Sequence, residues 1–270
     1  GIGGAPGERT GAQPARIDFT GADCAPGETV VDLRGGTLTD PGQEQRITGL
    51  EADGIAPATL AGWAAELADD VVDLGLISTD MLYYAAGVKQ AAGVVFTASH
   101  NPAEYNGMKM AKAGAVPVSS DTGLYEIRDA AQALLDAGEI PAAEAVGTVT
   151  QQDILPAYAE YLRSLVDLKG IRPLKVVVDA GNGMAGKTTP AVLGDEVLEA
   201  LPLQLEPLYF ELDGTFPNHP ANPLEPENLV DLQKAVVEHG ADIGLAFDGD
   251  ADRCFVIDEQ GEPVSPSAVT

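Results

Sequence analysis

Cysteine is scarce in this 270-residue chain: Cys24 and Cys254 stand far apart and in no CxxC spacing. That pattern excludes a disulfide scaffold or a zinc ribbon and suits a reducing cytoplasm. Basic residues are also few, 15 Lys and Arg against 42 Asp and Glu, for a net charge of −27. A nucleic-acid partner is thereby disfavoured, because a phosphate backbone needs a basic face. Any anionic ligand has to be met locally, by a few Lys, Arg or backbone N–H groups. No run approaches about 20 consecutive apolar residues, so no membrane span is expected. The Gly- and Pro-rich N-terminus lacks the basic-then-apolar pattern of a secretory leader. There is no G-x-S-x-G elbow, which disfavours an acyl-transfer serine hydrolase.

What is present is a globular composition, 45% hydrophobic with mean hydropathy +0.02, in a chain long enough for two domains. Residues 1–55 show little periodicity beyond one short strand and turn in "TVVDLRGG". From Pro57 strands and helices alternate, the signature of an α/β class. Leu60, Trp63, Ala64 and Leu67 follow helical spacing. "DVVDLGL" (70–76) reads as a buried strand, and "STDMLYYAAG" as a helix with a Ser/Thr cap that ends at Gly87. "GVVFT" and Met108–Ala111 read as strands. Asp121 or Thr122 is expected to cap a helix stopped by Gly138. Residues 137–150 read as a linker. A helix over Ile154–Leu165 follows, then the apolar strand "LKVVVDA", a helix, and a strand near Leu208–Leu212. A helix from Pro226 to His239-Gly240 precedes the strands "DIGLAFD" and "CFVID".

The strongest chemical signal is "DGDADR". Asp248, Asp250 and Asp252 lie two residues apart directly after an apolar strand. Crowding three carboxylates costs energy unless a cation joins them, and hard oxygen ligands suit Mg²⁺ or Ca²⁺. An EF-hand is rejected, since Arg253 stands where that loop needs Gly and the flanks read as strands. "GNGMAG" (181–186) matches G-x-G-x-x-G, but the following pattern favours a close-packed strand-to-helix turn over a dinucleotide site. His219, in a Pro- and Asn-rich loop, reads as a structural hydrogen-bonding residue. "GVVFTASHNPAEYNGMK" leaves a strand into Thr97, Ser99, His100 and Asn101, where α/β proteins place ligands. Pro102 marks the start of a short helix whose N–H groups would face an anion. That run is either a polar turn or a loop presenting Ser99 as a phosphate carrier, neutralised by a metal at the Asp loop and by Lys109.

Taken together, "TASHNP", "YNGMK", "DAGNGMAG", "DGTFPNHPANPLEPENL" and "DGDADR" resemble the α-D-phosphohexomutase superfamily, in particular its bacterial phosphomannomutase/phosphoglucomutase branch. The resemblance covers roughly residues 57–270. It implies an α/β fold of two consecutive three-layer α/β/α domains with mixed sheets, the second incomplete. Residues 1–150 would form a first domain carrying the phosphoserine loop, with 1–55 poorly matched and Arg34 a weak stand-in for an active-site arginine. Residues 151–270 would form a second, truncated domain carrying the metal loop. The resemblance further implies an isomerase that interconverts hexose 6-phosphate and hexose 1-phosphate, of mannose or glucose, through a phosphoserine and a hexose 1,6-bisphosphate. Ser99, His100, Lys109 and Arg253 would be catalytic, and Mg²⁺ would be held by Ser99, Asp248, Asp250 and Asp252. Sugar-recognition and distal-phosphate domains are not visible, so the chain is expected to turn over weakly or not at all alone. The alternative is a non-catalytic metal- or phosphosugar-binding fragment.

Overall fold

The computed structural model describes residues 70–102, 105, 107–138, 147–265 and 267. The readings for residues 1–55 and for the helix at 57–67 lie outside them, as do Cys24 and most of the short helix expected after Pro102. The chain divides into two compact units. One holds the described residues up to Ile77, Leu82–Ala98 and those within Ala103–Asp153. The other holds Ser78–Met81, Ser99–Pro102 and the chain from Ile154. No helix among the described residues is long and apolar enough to cross a membrane.

In the first unit, strand β1 (Asp70–Asp73) pairs in parallel with β5 (Thr148–Gln151). The expected buried strand is thus shorter and half exposed, and part of the expected linker is a strand. Alternating burial in β1, with Val72 exposed, marks an edge-like strand in place of a central one. Helix α1 (Thr79–Lys89) runs two residues beyond Gly87. Strands β2 (Gly93–Phe96), β3 (Met108–Lys112) and β4 (Val116–Pro117) form an antiparallel sheet in that order. Helix α2 (Leu124–Ala137) ends at Gly138 in the left-handed conformation, as expected. Its start differs: Gly123 occupies the cap position, because the Thr122 hydroxyl donates instead to the Pro117 carbonyl at 2.7 Å.

The second unit is built on a mixed four-stranded sheet, ordered β7 (Leu203–Leu208), β6 (Leu174–Asp179), β8 (Ile243–Phe247), β9 (Cys254–Asp258). β7, β6 and β8 are parallel, and β9 runs antiparallel to β8. β7 lies about five residues before the expected strand. Pro207 argues against a strand in sequence, yet an edge position tolerates its missing N–H. Helices α3 (Leu155–Ser164) and α4 (Ala185–Val192) pack together, and α4 continues through Pro190. A 3₁₀ turn (Pro226–Leu229) leads into α5 (Val230–His239). α5 presents Leu232, Ala235 and Val236 to Val177, Ala246 and Ile257, all buried, and together they form a hydrophobic core cluster of the unit. Gly244 lets the helix come close. A Cβ there would stand 2.6 Å from Val236 Cγ2, 3.0 Å from Leu232 Cδ1 and 3.2 Å from Ile257 Cβ.

Because β6 and β8 are parallel neighbours, their carboxyl ends open side by side. The turn after β6 is braced by the loop containing His219. Asp179, 2% exposed, accepts from Gly181 N–H at 2.9 Å on one oxygen and faces His219 Nε2 at 3.0 Å on the other. His219 Nδ1 lies 2.9 Å from the Pro220 carbonyl. Asn218 donates to the Asn182 side chain at 2.8 Å. Both ring nitrogens of His219 face acceptors, so the doubly protonated ring fits best. Burial pushes its pKa down, but Asp179, the Pro220 carbonyl and the charge of Asp231 together raise it above the ordinary 6.5. His219 therefore has the structural role read from its loop.

Two expectations follow. Gly244→Ala should lower the stability of the chain by about 1–3 kcal/mol through overpacking, read as a lower urea midpoint at unchanged slope. The His219–Asp179 pair should contribute stability that is full below pH 6.5, above the carboxylate range, and lost as pH rises through the raised folded pKa. The stability gap between the unsubstituted chain and His219→Gln should accordingly shrink as pH is raised through that window. A gap independent of pH from 6 to 9 would contradict it.

Candidate functional site

β8 ends at Phe247 and β9 begins at Cys254, with these two residues paired. The six residues between them, Asp248–Arg253, form the acidic loop. It is a hairpin between strands, which disposes of the EF-hand. Asp248 N–H donates to the Arg253 carbonyl at 3.3 Å and Ala251 N–H to the Asp248 carbonyl at 3.0 Å. Asp248 is fully buried, Asp250 is 2% exposed, and Asp252 is more open. One ligand oxygen from each lies within 4.8 Å of the others.

Asp248 and Asp250 each have their own support. Asp248 Oδ1 accepts from the Asp252 and Arg253 N–H groups, both at 3.1 Å, and Oδ2 from Arg253 Nε at 2.8 Å. Asp250 Oδ2 accepts from the Thr79 hydroxyl at 2.6 Å, and its carbonyl from Thr79 N–H at 3.2 Å. Gly249 lies against the turn after β6: Met184 N–H donates to its carbonyl at 2.9 Å. A Cβ on Gly183 would stand 2.6 Å from that oxygen and 2.9 Å from Gly249 Cα. The glycine in "GNGMAG" thus gives the acidic loop room, which is the close-packing role expected of that turn.

Burial, and then the charges of Asp250 and Asp252, push Asp248 up to about 7, although Arg253 opposes them. Three carboxylates with one nearby arginine are short of positive charge. Their all-oxygen donor set fits a hard divalent cation such as Mg²⁺.

Ser99 sits at the same place. It is 4% exposed, and its hydroxyl accepts from Arg253 Nη2 at 2.8 Å. His100 Nδ1 lies 3.3 Å from the Ser99 oxygen and is also in contact with Arg253 Nη2. Arg253 has only donors, so its contact with Nδ1 calls on that nitrogen to accept. Arg253 therefore joins the acidic loop to the serine loop. Ser99 has φ 56° and Ala251 φ 58°. Both are non-glycine residues in the left-handed region, a strain that functional loops commonly hold.

The structure thus brings together Ser99, His100, Asp248, Asp250, Asp252 and Arg253. Lys109 lies in β3, opposite Val95 of β2, in the first unit. Thr79 was missed, because the "ST" pair before α1 reads simply as a cap. Two adjacent hydroxyls where one suffices were the available signal.

Two family models match the chain. "Phosphoglucomutase/phosphomannomutase, alpha/beta/alpha domain I" covers residues 48–135, and domain II of the same family covers 156–261. The chain is 44% identical over 200 residues to a phosphomannomutase of Salmonella montevideo, a stretch that spans 72% of this chain and 42% of that protein. It is 47% identical over 194 residues to a protein of Xanthomonas campestris pv. campestris named "Phosphohexose mutases", spanning 71% and 41%. The crystal structure of a phosphoglucomutase/phosphomannomutase family protein from Burkholderia thailandensis aligns with TM-score 0.65 at 34% identity, covering 77% of this chain and 44% of that one. The chain spans less than half the length of these relatives. The fold, the two matched α/β/α domains and these sequence likenesses place it in the α-D-phosphohexomutase superfamily, within the bacterial phosphomannomutase/phosphoglucomutase branch.

Proposed function

We propose that this chain carries the phosphoserine and metal-binding parts of a cytoplasmic phosphohexose mutase. Its substrates would be mannose or glucose 1- and 6-phosphates. The observation that supports the reading best is the Ser99 hydroxyl held 2.8 Å from Arg253, whose Nε grips Asp248 of the acidic loop. A serine strained into the left-handed region beside an arginine and three clustered carboxylates suits a phosphate carrier better than a polar turn.

In this reading phospho-Ser99 gives its phosphoryl group to a hydroxyl of a hexose monophosphate. The Ser99 O–P bond breaks, a sugar O–P bond forms, and the hydroxyl proton leaves through Lys109. The resulting 1,6-bisphosphate returns its other phosphate to Ser99 and departs as the isomeric monophosphate. Asp248, Asp250 and Asp252 would hold Mg²⁺, which supplies charge neutralisation at the phosphoserine. Arg253 orients the serine oxygen and adds positive charge where the transferring group gathers negative charge. His100, with Nδ1 toward Arg253 and Ser99, helps fix that arginine. The domain assignment follows the same reading: residues 1–150 serve the serine loop and 151–270 the metal loop.

Binding without turnover is the second reading. The matched stretch covers only 42% of a phosphomannomutase, and binding to remote parts of a substrate normally contributes to turnover as well as to affinity.

Incubation with a hexose 1,6-bisphosphate and Mg²⁺ should add one phosphoryl group to the intact mass, mapped by peptide analysis to Ser99. The addition should vanish in Ser99→Ala and be suppressed by a chelator. An unmodified Ser99 would overturn the phosphotransfer reading and leave binding alone. Phosphorylation without isomerisation of mannose or glucose phosphates would select a chain that needs the remainder of its relatives' length for turnover.

A further inference from the structure

We infer that Thr79 is a positioning residue for the metal site: its hydroxyl orients the Asp250 carboxylate toward the cation. The inference rests on the metal reading above and concerns how one ligand is held.

Thr79 opens α1, and the residue before it already does the capping. The Ser78 hydroxyl accepts from Met81 N–H at 3.4 Å, the geometry of an N-cap. The helix therefore does not need the Thr79 side chain at its start. That side chain instead reaches a residue 171 positions away, donating to Asp250 Oδ2 at 2.6 Å. This is the short distance of a hydroxyl bonded to a charged oxygen. Thr79 is 1% exposed and Asp250 2%, so water does not compete for the bond. The Thr79 N–H, one of the donors an α-helix leaves unsatisfied at its first turn, goes to the Asp250 carbonyl at 3.2 Å.

Residue 250 is thus gripped through main chain and side chain by one threonine. A carboxylate has two oxygens and a rotatable bond. Fixing Oδ2 with a donor sets the plane of the group and directs Oδ1 elsewhere. Asp248 is held in the same manner by Arg253 and two N–H groups. Thr79 does for the central ligand what Arg253 does for the first. Outer-sphere donors of this kind typically change metal affinity by about 10- to 100-fold when removed.

The test uses the whole 270-residue chain with Mn²⁺ as probe, its free concentration followed by electron paramagnetic resonance. Urea midpoints are measured in parallel. Thr79→Val keeps shape and deletes the hydroxyl, and Thr79→Ser keeps the hydroxyl. Thr188→Val is the control: Thr188 is also buried, but its hydroxyl donates to the Met184 carbonyl at 3.3 Å. The expected result is Mn²⁺ binding weakened about 10- to 100-fold in Thr79→Val and kept within a few-fold in Thr79→Ser and Thr188→Val. Should Thr79→Val not fold, Thr79→Ala against Thr79→Ser makes the same comparison. Affinity unchanged in the variant without the hydroxyl, whatever its urea midpoint, would overturn the inference, as would equal loss in Thr79→Ser. No Mn²⁺ binding by the unsubstituted chain would overturn the metal reading and the inference with it.

Discussion

Like charge held together inside protein is the constraint on which the second unit turns. Asp248 and Asp250 are nearly without solvent, and Asp252 stands close to both. Left to themselves the three groups would separate or take up protons, and the upward push on Asp248 shows the second tendency. They stay together because two of them, and the residue between those two, are tied to something rigid. Asp248 is tied to its own loop and to Arg253, Asp250 to the first turn of α1, and Gly249 to the turn after β6. The surrounding architecture supplies donors at the places where a flexible loop would otherwise open.

The sheet provides those donors economically. Parallel pairing of β6 and β8 sets the "GNG" turn next to the acidic loop, and Gly183 allows the two backbones to touch. His219 and Asn218 then hold the turn from the other side through Asp179 and Asn182. A buried Asp–His pair here works on local geometry. Its partners include a backbone N–H, a carbonyl and one another, and the Tyr209 ring stands edge-on to His219 with centroids 5.3 Å apart.

Much of this was legible in the order of residues. Strands such as "LKVVVDA" and "DIGLAFD" are apolar enough to announce parallel neighbours, and Gly138 and Gly240 end their helices as read. The three aspartates were visible because their spacing is itself improbable without a cation. Where reading slipped, a local signal was outvoted by an unseen neighbour. The strand read near Leu208–Leu212 starts five residues earlier, at Leu203, and Pro207 fits within it because β7 lies at the sheet edge. Thr148, Val149 and Thr150 of β5 looked like linker because their partner β1 lies far away in sequence. Thr122 looked like a cap until its hydroxyl was found on Pro117. Thr79 was hidden for a similar reason: the paired hydroxyls of Ser78 and Thr79 hint at a spare donor but do not point to residue 250. Long-range hydrogen bonds by single hydroxyls leave no periodic trace.

The acidic loop is the connection of a hairpin, closed by the pairing of Phe247 with Cys254. Side chains alternate faces along β9, and Ile257, fully buried, belongs to the core beneath α5. A one-residue slip in the β8–β9 pairing would turn Ile257 outward, so a residue added or removed between Asp248 and Arg253 has to be accommodated within the loop itself. The packing of the sheet therefore fixes the two ends between which the three aspartates are held.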